Sequence, residues 1–204
     1  MITNFDFKKY ILNLDTPKNQ SVCAINFNFL YEKYSIDEWI NTDLSFEIAN
    51  FILQNRPDLL SLAIRINVQV NLFLRTINKF KNNKEKIFNN VKYSLGCFCL
   101  TENKTGVLSG LNLDTTFEEH KEHYILDTNN GYKNWISQGI HANYAIVFAK
   151  NKINDKDMRI FLINLYNENI SREKILDLDV TSSLDLAKIK FNKVKIPKNC
   201  LLEK

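Results

Sequence analysis

The chain has 204 residues, of which 45% are hydrophobic, and its formal net charge at pH 7 is +4. This composition excludes a disordered chain, and so mild a charge indicates neither nucleic-acid binding nor a polybasic membrane anchor. No apolar run reaches the roughly 18 residues of a membrane span, and the N-terminus lacks a signal-peptide core, so we expect a cytoplasmic protein. All five glycines lie between Gly96 and Gly139, which indicates tight turns there or close approach of the backbone to a ligand.

The first half of the chain is predicted to be helical. Ser35, with Glu38 three positions later, has the pattern of a capped helix start, and Ser45 is a plausible N-cap of a helical segment over residues 44–92. Pro57 lies where a helix could begin, and a short helix is predicted around residues 85–91. Apolar residues recur along one helix face at spacings of three and four, at Ile66, Val70, Phe73, Ile77 and Phe80.

Near Ser94 the apolar period changes from about 3.6 to about 2, which predicts strands in the second half. Asn129-Asn130-Gly131 is a strong turn signal between two of them. The order of elements predicts an α+β fold, with an N-terminal helical region at residues 1–92 and an antiparallel β-barrel or sandwich at residues 93–204. Strands are predicted at residues 111–118, 123–126, 135–137, 144–149, 159–166, 187–191 and 194–196.

Cysteine and histidine residues give no strong signal for chemistry. Cys97 and Cys99 would share one face of a strand, and burial is the expectation for them because C-x-C alone is not zinc spacing. His120 and His123 flank a predicted hairpin turn, where two further metal ligands cannot be placed, so we predict no metal site. Phosphate-binding, dinucleotide-binding and nucleophile-elbow motifs are absent from the sequence.

Two segments carry a recognisable pattern, which we name the Thr101 block (residues 95–112, LGCFCLTENKTGVLSGLN) and the Trp135 block (residues 132–150, YKNWISQGIHANYAIVFAK). They resemble the two sequence blocks of the middle domain of the acyl-CoA dehydrogenase and acyl-CoA oxidase superfamily. The segment IKFNKVKIPKNCLL at residues 189–202 is similar to the end of that domain. The helix at residues 62–76 resembles the one that precedes this domain in the oxidases. The resemblance covers roughly residues 45–204 and implies a middle-domain β-barrel.

The resemblance also implies that FAD is the cofactor. Thr101 would give its hydroxyl or backbone N–H to the pyrimidine edge of the flavin, and Ser137 would do the same near N5. Trp135 would pack on the ring, and Leu100 would supply a neighbouring main-chain contact. Donors aimed at that edge stabilise the negative charge that develops as the flavin accepts hydride. The alternative is that Trp135 is a core anchor and that the two hydroxyls are ordinary strand side chains.

The sequence departs from the family pattern in two places. Val107 stands where the family usually has a serine that contacts its ligands, and Ser109 is the candidate substitute for contact with the substrate. The chain ends at Lys204, whereas the family continues into a C-terminal helical domain that carries the glutamate that removes the α-proton. Glu102 belongs to the Thr101 block and is not this base, so no catalytic residue is assigned.

Two functions are compatible with these observations, and a third possibility is that the chain has no function. The first function is a flavoprotein subunit that dehydrogenates an acyl thioester of CoA or of a carrier protein. It would form a homo- or hetero-oligomer with a chain that carries the C-terminal helical domain and its glutamate. The second is a non-enzymatic acyl-thioester-binding or scaffolding protein derived from the same fold. A degenerate gene fragment is the third possibility, and it predicts poor folding because apolar surface would be exposed.

Overall fold

The computed structural model describes residues 6–15, 29–80, 91–103, 113–175 and 184–203. The candidate substrate contact Ser109 lies outside the described residues, as do Val107 and nearly all of the helix predicted at residues 85–91. No helix within the described ranges is long and apolar enough to cross a membrane.

Helices form the N-terminal layer. Ser35 starts one of them as predicted, because its hydroxyl accepts from Glu38 N at 3.2 Å and the Glu38 carboxylate accepts from Ser35 N at 2.7 Å. Ser45 is not an N-cap, since the hydroxyl of Thr42 accepts from the backbone N–H of Leu44 and the helix begins one residue before Ser45. The helices are α1 (Phe7–Leu12), α2 (Ile36–Asn41), α3 (Leu44–Asn55), α4 (Leu60–Asn67) and α5 (Arg75–Lys79), and residues 29–33 are also helical.

A π-helix, Val68–Leu74, joins α4 to α5 and makes them one continuous helix. A 3-10 turn that begins at Pro57 leads into it, as the position of this proline predicted. The structure also confirms the predicted apolar face, whose first four members are buried and whose last, Phe80, is partly buried. Long π segments are rare and often lie at functional sites, so this helix is of interest beyond its packing.

The strands form two sheets. They are β1 (Gly96–Cys99), β2 (Thr116–Glu119), β3 (His123–Asp127), β4 (Lys133–Ile136), β5 (Tyr144–Asn151), β6 (Met158–Asn164), β7 (Ile170–Lys174), β8 (Ala187–Phe191), β9 (Val194–Pro197) and β10 (Leu201–Glu203). Seven strands form the larger sheet in the order β10-β6-β5-β2-β3-β9, with β1 joined to β5, and β4, β8 and β7 form the smaller one. Pairing is antiparallel except that β1 and β2 run parallel to β5. The α+β prediction is confirmed, although β7 and β10 were not predicted.

The larger sheet lies between the helices and the smaller sheet, with a hydrophobic core on each face. Ile146 of β5 packs with the helices, whereas Ala145 and Val147 pack toward the smaller sheet, because successive side chains of a strand point to opposite faces. A Cβ atom on Gly96 would lie 2.2 Å from the ring of Phe73, so only glycine lets the π-helix approach β1 this closely. Both chain regions contribute to the helix-side core, and the division at residues 92 and 93 stays a prediction.

Left-handed backbone positions are occupied by residues other than glycine. None of the glycines in the described ranges has a positive φ, whereas Asn129 and Asn130 have φ values of 48° and 65° and form the turn before Gly131. Asparagine tolerates this conformation better than other non-glycine residues. The turn is therefore where the sequence predicted it, but the asparagines and not the glycine supply its special geometry.

Candidate functional site

Leu100, Thr101, Trp135 and Ser137 line one apolar pocket of about 320 Å³. Leu100 and Thr101 follow the end of β1, and Trp135 lies in β4. The backbone N–H of Asn134 donates to the carbonyl oxygen of Thr101 at 2.8 Å, which holds the two segments side by side. The structure thus brings together all four residues that the sequence predicted to share a site.

A helix forms the remaining wall of the pocket, and the sequence did not identify it. Val68 and Leu72 of the π-helix line the pocket with Phe98 of β1 and Ile136 of β4. These two helix residues fall beside the predicted apolar face and not on it. Leu72 is 40% exposed. The signal available in the sequence was the spacing of four between Val68 and Leu72, which places two further apolar side chains on one helix face beside the buried one.

Trp135 is held in an unusual conformation. Its φ is 58° and its side chain is 50% exposed. A left-handed backbone costs a non-glycine residue about 1–2 kcal/mol, and exposure leaves a large apolar ring in water. Trp135 is therefore not a core anchor, and this alternative is wrong. Strain of this kind persists where the surrounding structure imposes it and is concentrated at functional sites.

The strand predicted at residues 135–137 is present, but its bounds are shifted toward the N-terminus. The strand β4 ends at Ile136, and Ser137 begins the following turn. The pairing of β4 with β8 shifts register between Lys133 and Ile136. This irregularity and the positive φ of Trp135 break the alternation of side chains, so the three consecutive residues Trp135, Ile136 and Ser137 all border the pocket.

The hydroxyl groups of Thr101 and Ser137 are available to a ligand. Within the described part of the chain, neither hydroxyl makes a hydrogen bond. Both residues are only partly buried and both border the pocket. A hydroxyl can donate one hydrogen bond and accept two. The pocket therefore combines apolar walls with two polar groups that could orient a ligand.

Behind the pocket, a buried ion pair joins the Thr101 block to the Trp135 block. The Nζ atom of Lys133 lies 2.7 Å from Oε1 of Glu102, and both side chains are shielded from solvent. The Glu102 carboxylate also accepts from the backbone N–H groups of Asp114 and Thr115, and Lys133 donates to the carbonyl of Phe148. Burial opposes ionisation of Glu102, but the attraction of Lys133 and these hydrogen bonds outweigh it and hold its pKa below the ordinary 4.5. Glu102 is thus occupied by structural contacts.

The remaining candidate residues lie apart from the pocket. Cys97 and Cys99 are fully buried, as expected, with their Sγ atoms 3.8 Å apart. His120 and His123 lie at the β2–β3 turn, and their rings stack at 4.7 Å. In the ranges that the structure covers, no group of three or more His, Cys, Asp or Glu side chains is arranged to hold a metal ion.

The layered arrangement of helices and a curled, mixed sheet is an α+β fold, and it matches the fold of the acyl-CoA dehydrogenase middle domain. Residues 97–194 match the sequence model of the family described as acyl-CoA dehydrogenase, middle domain. Over these residues the resemblance to the acyl-CoA dehydrogenase and acyl-CoA oxidase superfamily is confirmed.

Individual relatives cover the chain to different extents. An acyl-coenzyme A oxidase-like protein of Mus musculus is 28% identical over 124 residues, which is 55% of this chain and 20% of the relative. Acyl-coenzyme A oxidase 2, peroxisomal, of Arabidopsis thaliana is 27% identical over 169 residues, which is 71% of this chain and 24% of the relative. The crystal structure of acyl-CoA dehydrogenase from Geobacillus kaustophilus superposes with a TM-score of 0.75 at 17% identity, over 97% of this chain and 56% of that chain. The chain therefore spans a quarter or less of the length of these two curated relatives.

Proposed function

We propose that the chain contributes the flavin-facing part of a site for α,β-dehydrogenation of an acyl thioester. The observation that carries this proposal is the convergence of two distant sequence blocks on one apolar pocket, with Trp135 half-exposed in a left-handed backbone. A flat aromatic ligand would cover the exposed ring and offset the free energy of holding it there. FAD, the cofactor that the resemblance implies, carries such a ring system.

The residues of the pocket fit a flavin ring. Val68, Leu72 and Phe98 offer apolar walls, and the hydroxyls of Thr101 and Ser137 offer hydrogen bonds for a polar ring edge. The volume of about 320 Å³ falls at the lower end of small-molecule sites, which range from about 300 to 1,000 Å³. That is room for a ring system with a few polar contacts.

Each of the four predicted residues has a task in this proposal. Trp135 packs on the ring and excludes water from one side of it. Thr101 and Ser137 donate hydrogen bonds to the polar edge, and the main chain of Leu100 makes a neighbouring contact. Bound FAD supplies the acceptor for the hydride from the β-carbon of the thioester. Donors fixed in advance at that edge favour the negative charge that develops there.

The base that removes the α-proton comes from outside this pocket in our proposal. Among the described residues that line the pocket, none carries a carboxylate or an imidazole. Glu102 is paired with Lys133 behind the pocket wall. We therefore include a helical domain, in a partner chain or in a further segment, that supplies a glutamate.

An exposed apolar groove between α3 and α4 supports the presence of such a helical partner. Leu53 is 47% exposed and lines this groove of about 330 Å³ together with Leu60 and Ile64. Val68 and Leu72 border both the groove and the flavin pocket, so the two are continuous. Exposed apolar surface of this kind marks interaction sites. A helical domain seated in the groove would also close the pocket from that side.

Uptake of flavin by the purified chain tests the proposal. The chain is examined alone and after co-expression with the product of the adjacent gene. We expect a yellow protein whose FAD absorption differs from that of free FAD and whose Trp135 fluorescence is quenched on titration with FAD. The variant Trp135→Ala and the double variant Thr101→Val/Ser137→Ala should each weaken binding about tenfold or more.

Tyr93→Ala is the matched control, because Tyr93 is an exposed aromatic residue that does not line the pocket. It should bind FAD as the parent chain does. Circular dichroism establishes that each variant is folded. A chain that takes up no FAD alone or with its neighbour contradicts the proposal.

A non-enzymatic role in binding acyl thioesters, or in scaffolding, is the second candidate function. The lack of a carboxylate among the described residues that line the pocket favours it. This role predicts a stable protein that binds an acyl thioester without FAD, and in which Trp135→Ala/Ser137→Ala changes only stability. Calorimetric titration with an acyl-CoA, in parallel with FAD, separates the two functions.

A further inference from the structure

Gln138 lies immediately after Ser137 and connects the pocket segment to two other parts of the fold. Its side chain is fully buried and its φ is 64°. The side-chain Nε2 donates to the carbonyl of Gly96 at 3.1 Å, and the backbone N–H donates to the carbonyl of Leu184 at 3.1 Å. Gln138 therefore ties the end of the pocket segment both to β1 and to the residues before β8.

A buried ion pair continues this connection to the helix wall. Asp185, next to Leu184, places Oδ2 3.0 Å from Nη1 of Arg65, and both side chains are fully shielded from solvent. Arg65 lies in α4, three residues before Val68. The contacts of Gln138, Leu184, Asp185 and Arg65 thus link the two opposite walls of the pocket from behind.

This link is held at a free-energy cost. Among the described residues, Oδ1 of Asp185 and Oε1 of Gln138 have no hydrogen-bond partner although both atoms are buried. Oδ2 of Asp185 has two charged neighbours, Arg65 at 3.0 Å and, at 3.7 Å, the Nε2 atom of His141. Asp185 has a φ of 50°, so two residues of the link, Gln138 and Asp185, also lie in the left-handed region. Buried acceptors without partners and strained backbone together indicate a constraint that packing alone does not explain.

We propose that Gln138 and the Arg65–Asp185 pair are positioning residues that set the distance between the helix wall and the wall formed by Trp135 and Ser137. The link touches the pocket residues but does not line the pocket. It fixes where the Ser137 hydroxyl and the Trp135 ring stand, and so how tightly a flavin ring is held between the walls. This inference rests on the proposed function.

The first test compares Gln138→Ala with Gln69→Ala. Gln69 is a matched control, because it is fully buried and also contacts Gly96, whose N–H donates to its Oε1 at 2.9 Å. Its Nε2 donates to the carbonyl of Ser94 at 2.9 Å, so it does not contact the segment of Trp135 and Ser137. Both variants lose a buried amide, and only one loses the link.

The readout that needs no flavin is acrylamide quenching of tryptophan fluorescence. The chain has two tryptophans, and Trp39 is fully buried whereas Trp135 is half-exposed, so quenching reports on Trp135. We expect Gln138→Ala to change the quenching constant by about twofold and to weaken FAD binding by about tenfold or more, as small displacements of a site residue do. Gln69→Ala should lower the denaturation midpoint but leave both values unchanged.

Two further variants keep the test decisive if Gln138→Ala fails to fold. Gln138→Asn keeps an amide that tolerates a positive φ but is too short to reach Gly96, and it should shift both readouts in the same direction. Arg65→Met/Asp185→Asn removes both charges and should do the same to a smaller extent. Equal effects of the Gln138 and Gln69 variants on quenching and affinity would overturn the proposal. If the parent chain binds no FAD, the proposed function fails, and quenching alone then decides whether the link positions Trp135.

Discussion

Two fully buried ion pairs lie in the described fold, and they differ in how their charges are completed. The Glu102 carboxylate meets Lys133 and accepts two backbone N–H groups, and the ammonium donates to a carbonyl as well. Oδ2 of the Asp185 carboxylate lies 3.0 Å from Arg65 and 3.7 Å from the half-exposed His141, but its Oδ1 has no hydrogen-bond partner within the described residues. The two ion pairs are equally buried, but they differ in the hydrogen bonds that surround their carboxylates.

The difference shows that burial alone does not reveal what an ion pair does. A fully hydrogen-bonded polar network rigidifies its surroundings, so the Glu102–Lys133 pair serves the fold and holds the two sequence blocks together. When the hydrogen bonds of a buried ion pair are incomplete, the attraction between its charges stabilises the fold by less than the desolvation of those charges costs. The Arg65–Asp185 pair therefore needs another reason to be present, and it lies where the spacing of the proposed flavin pocket is set.

Removing one partner of the completed pair should have the largest effect. Lys133→Met leaves the Glu102 carboxylate buried without its cation, and we expect it to lower the free energy of unfolding by about 3–5 kcal/mol. Urea denaturation followed by circular dichroism measures this. Lys188→Met is the control, because the Lys188–Glu173 pair at 3.4 Å is solvent-exposed and should contribute less than about 1 kcal/mol. Similar losses in the two variants would contradict the distinction between the pairs.

The same pair predicts sensitivity to acid. The pKa of Glu102 in the folded chain lies below its ordinary 4.5. At pH values between the folded-state pKa and the unfolded-state pKa, the folded state therefore binds fewer protons than the unfolded state. The stabilisation is complete above the unfolded pKa and is lost as the pH falls through the folded pKa. Denaturation midpoints measured from about pH 6 to pH 3 should fall more steeply for the parent chain than for Glu102→Gln.

Replacing both charged residues of each pair gives the most direct comparison of what the two pairs contribute to stability. Lys133→Met/Glu102→Gln still loses hydrogen bonds to the backbone, and it should remain destabilised by about 1–3 kcal/mol. Arg65→Met/Asp185→Asn removes a pair whose carboxylate is incompletely hydrogen-bonded within the described residues, and its free energy of unfolding should lie within about 1 kcal/mol of that of the parent chain or above it. Chemical denaturation of these three proteins (the parent chain and the two double variants) under one condition measures both differences. A large loss at the second pair would show that the pair serves stability after all.

Substitution of Trp135 should have a smaller effect, which raises stability but weakens binding of FAD. Trp135→Asn should raise the free energy of unfolding by about 1 kcal/mol, because asparagine adopts a positive φ at lower cost. It should abolish the tryptophan contact that we propose for the flavin. Thermal denaturation and FAD titration on the same samples measure the two effects. A variant that is less stable than the parent chain would show that Trp135 stabilises the fold.

An exposed network gives the smallest expected effect. Hydrogen bonds from Lys198 and Arg159 lower the pKa of Glu119 to about 2, but its side chain is 39% exposed and the surrounding water screens the interaction. Glu119→Gln should therefore cost less than about 1 kcal/mol, and added salt should reduce that loss. Any such contribution is complete above the ordinary pKa of 4.5 and is lost progressively as the pH falls toward the folded-state pKa of about 2. Unfolding free energies at low and high salt check this, and a loss comparable with that of Lys133→Met would be contrary to the prediction.

The parts of the fold that local sequence determines were predictable. The capping of α2 by Ser35 and the buried helix face from Ile66 to Ile77 follow from residues a few positions apart. Ser45 is not the N-cap because the helix begins at Leu44, whose backbone N–H donates to the hydroxyl of Thr42. Membership of the four pocket residues in one site was predicted from the family resemblance and not from periodicity.

The parts that depend on distant partners were not predictable. The positive φ of Trp135 accompanies a register shift of β4 against β8, which lies far along the chain. Val68 and Leu72 line the pocket from a π-helix, which a period of about 3.6 does not describe. Arg65 is buried by a partner, Asp185, that no local pattern connects to it.

The contact between Gly96 and Phe73 has a consequence for how the molecule opens. The ring of Phe73 fills the space that any side chain at position 96 would occupy, so the helical layer and β1 are in close contact at this point. The two layers should unfold together as one cooperative unit, and slow amide exchange at Cys97 and Cys99 should proceed only through global unfolding. A protein divided between residues 92 and 93 would then lose this shared core on both sides of the cut.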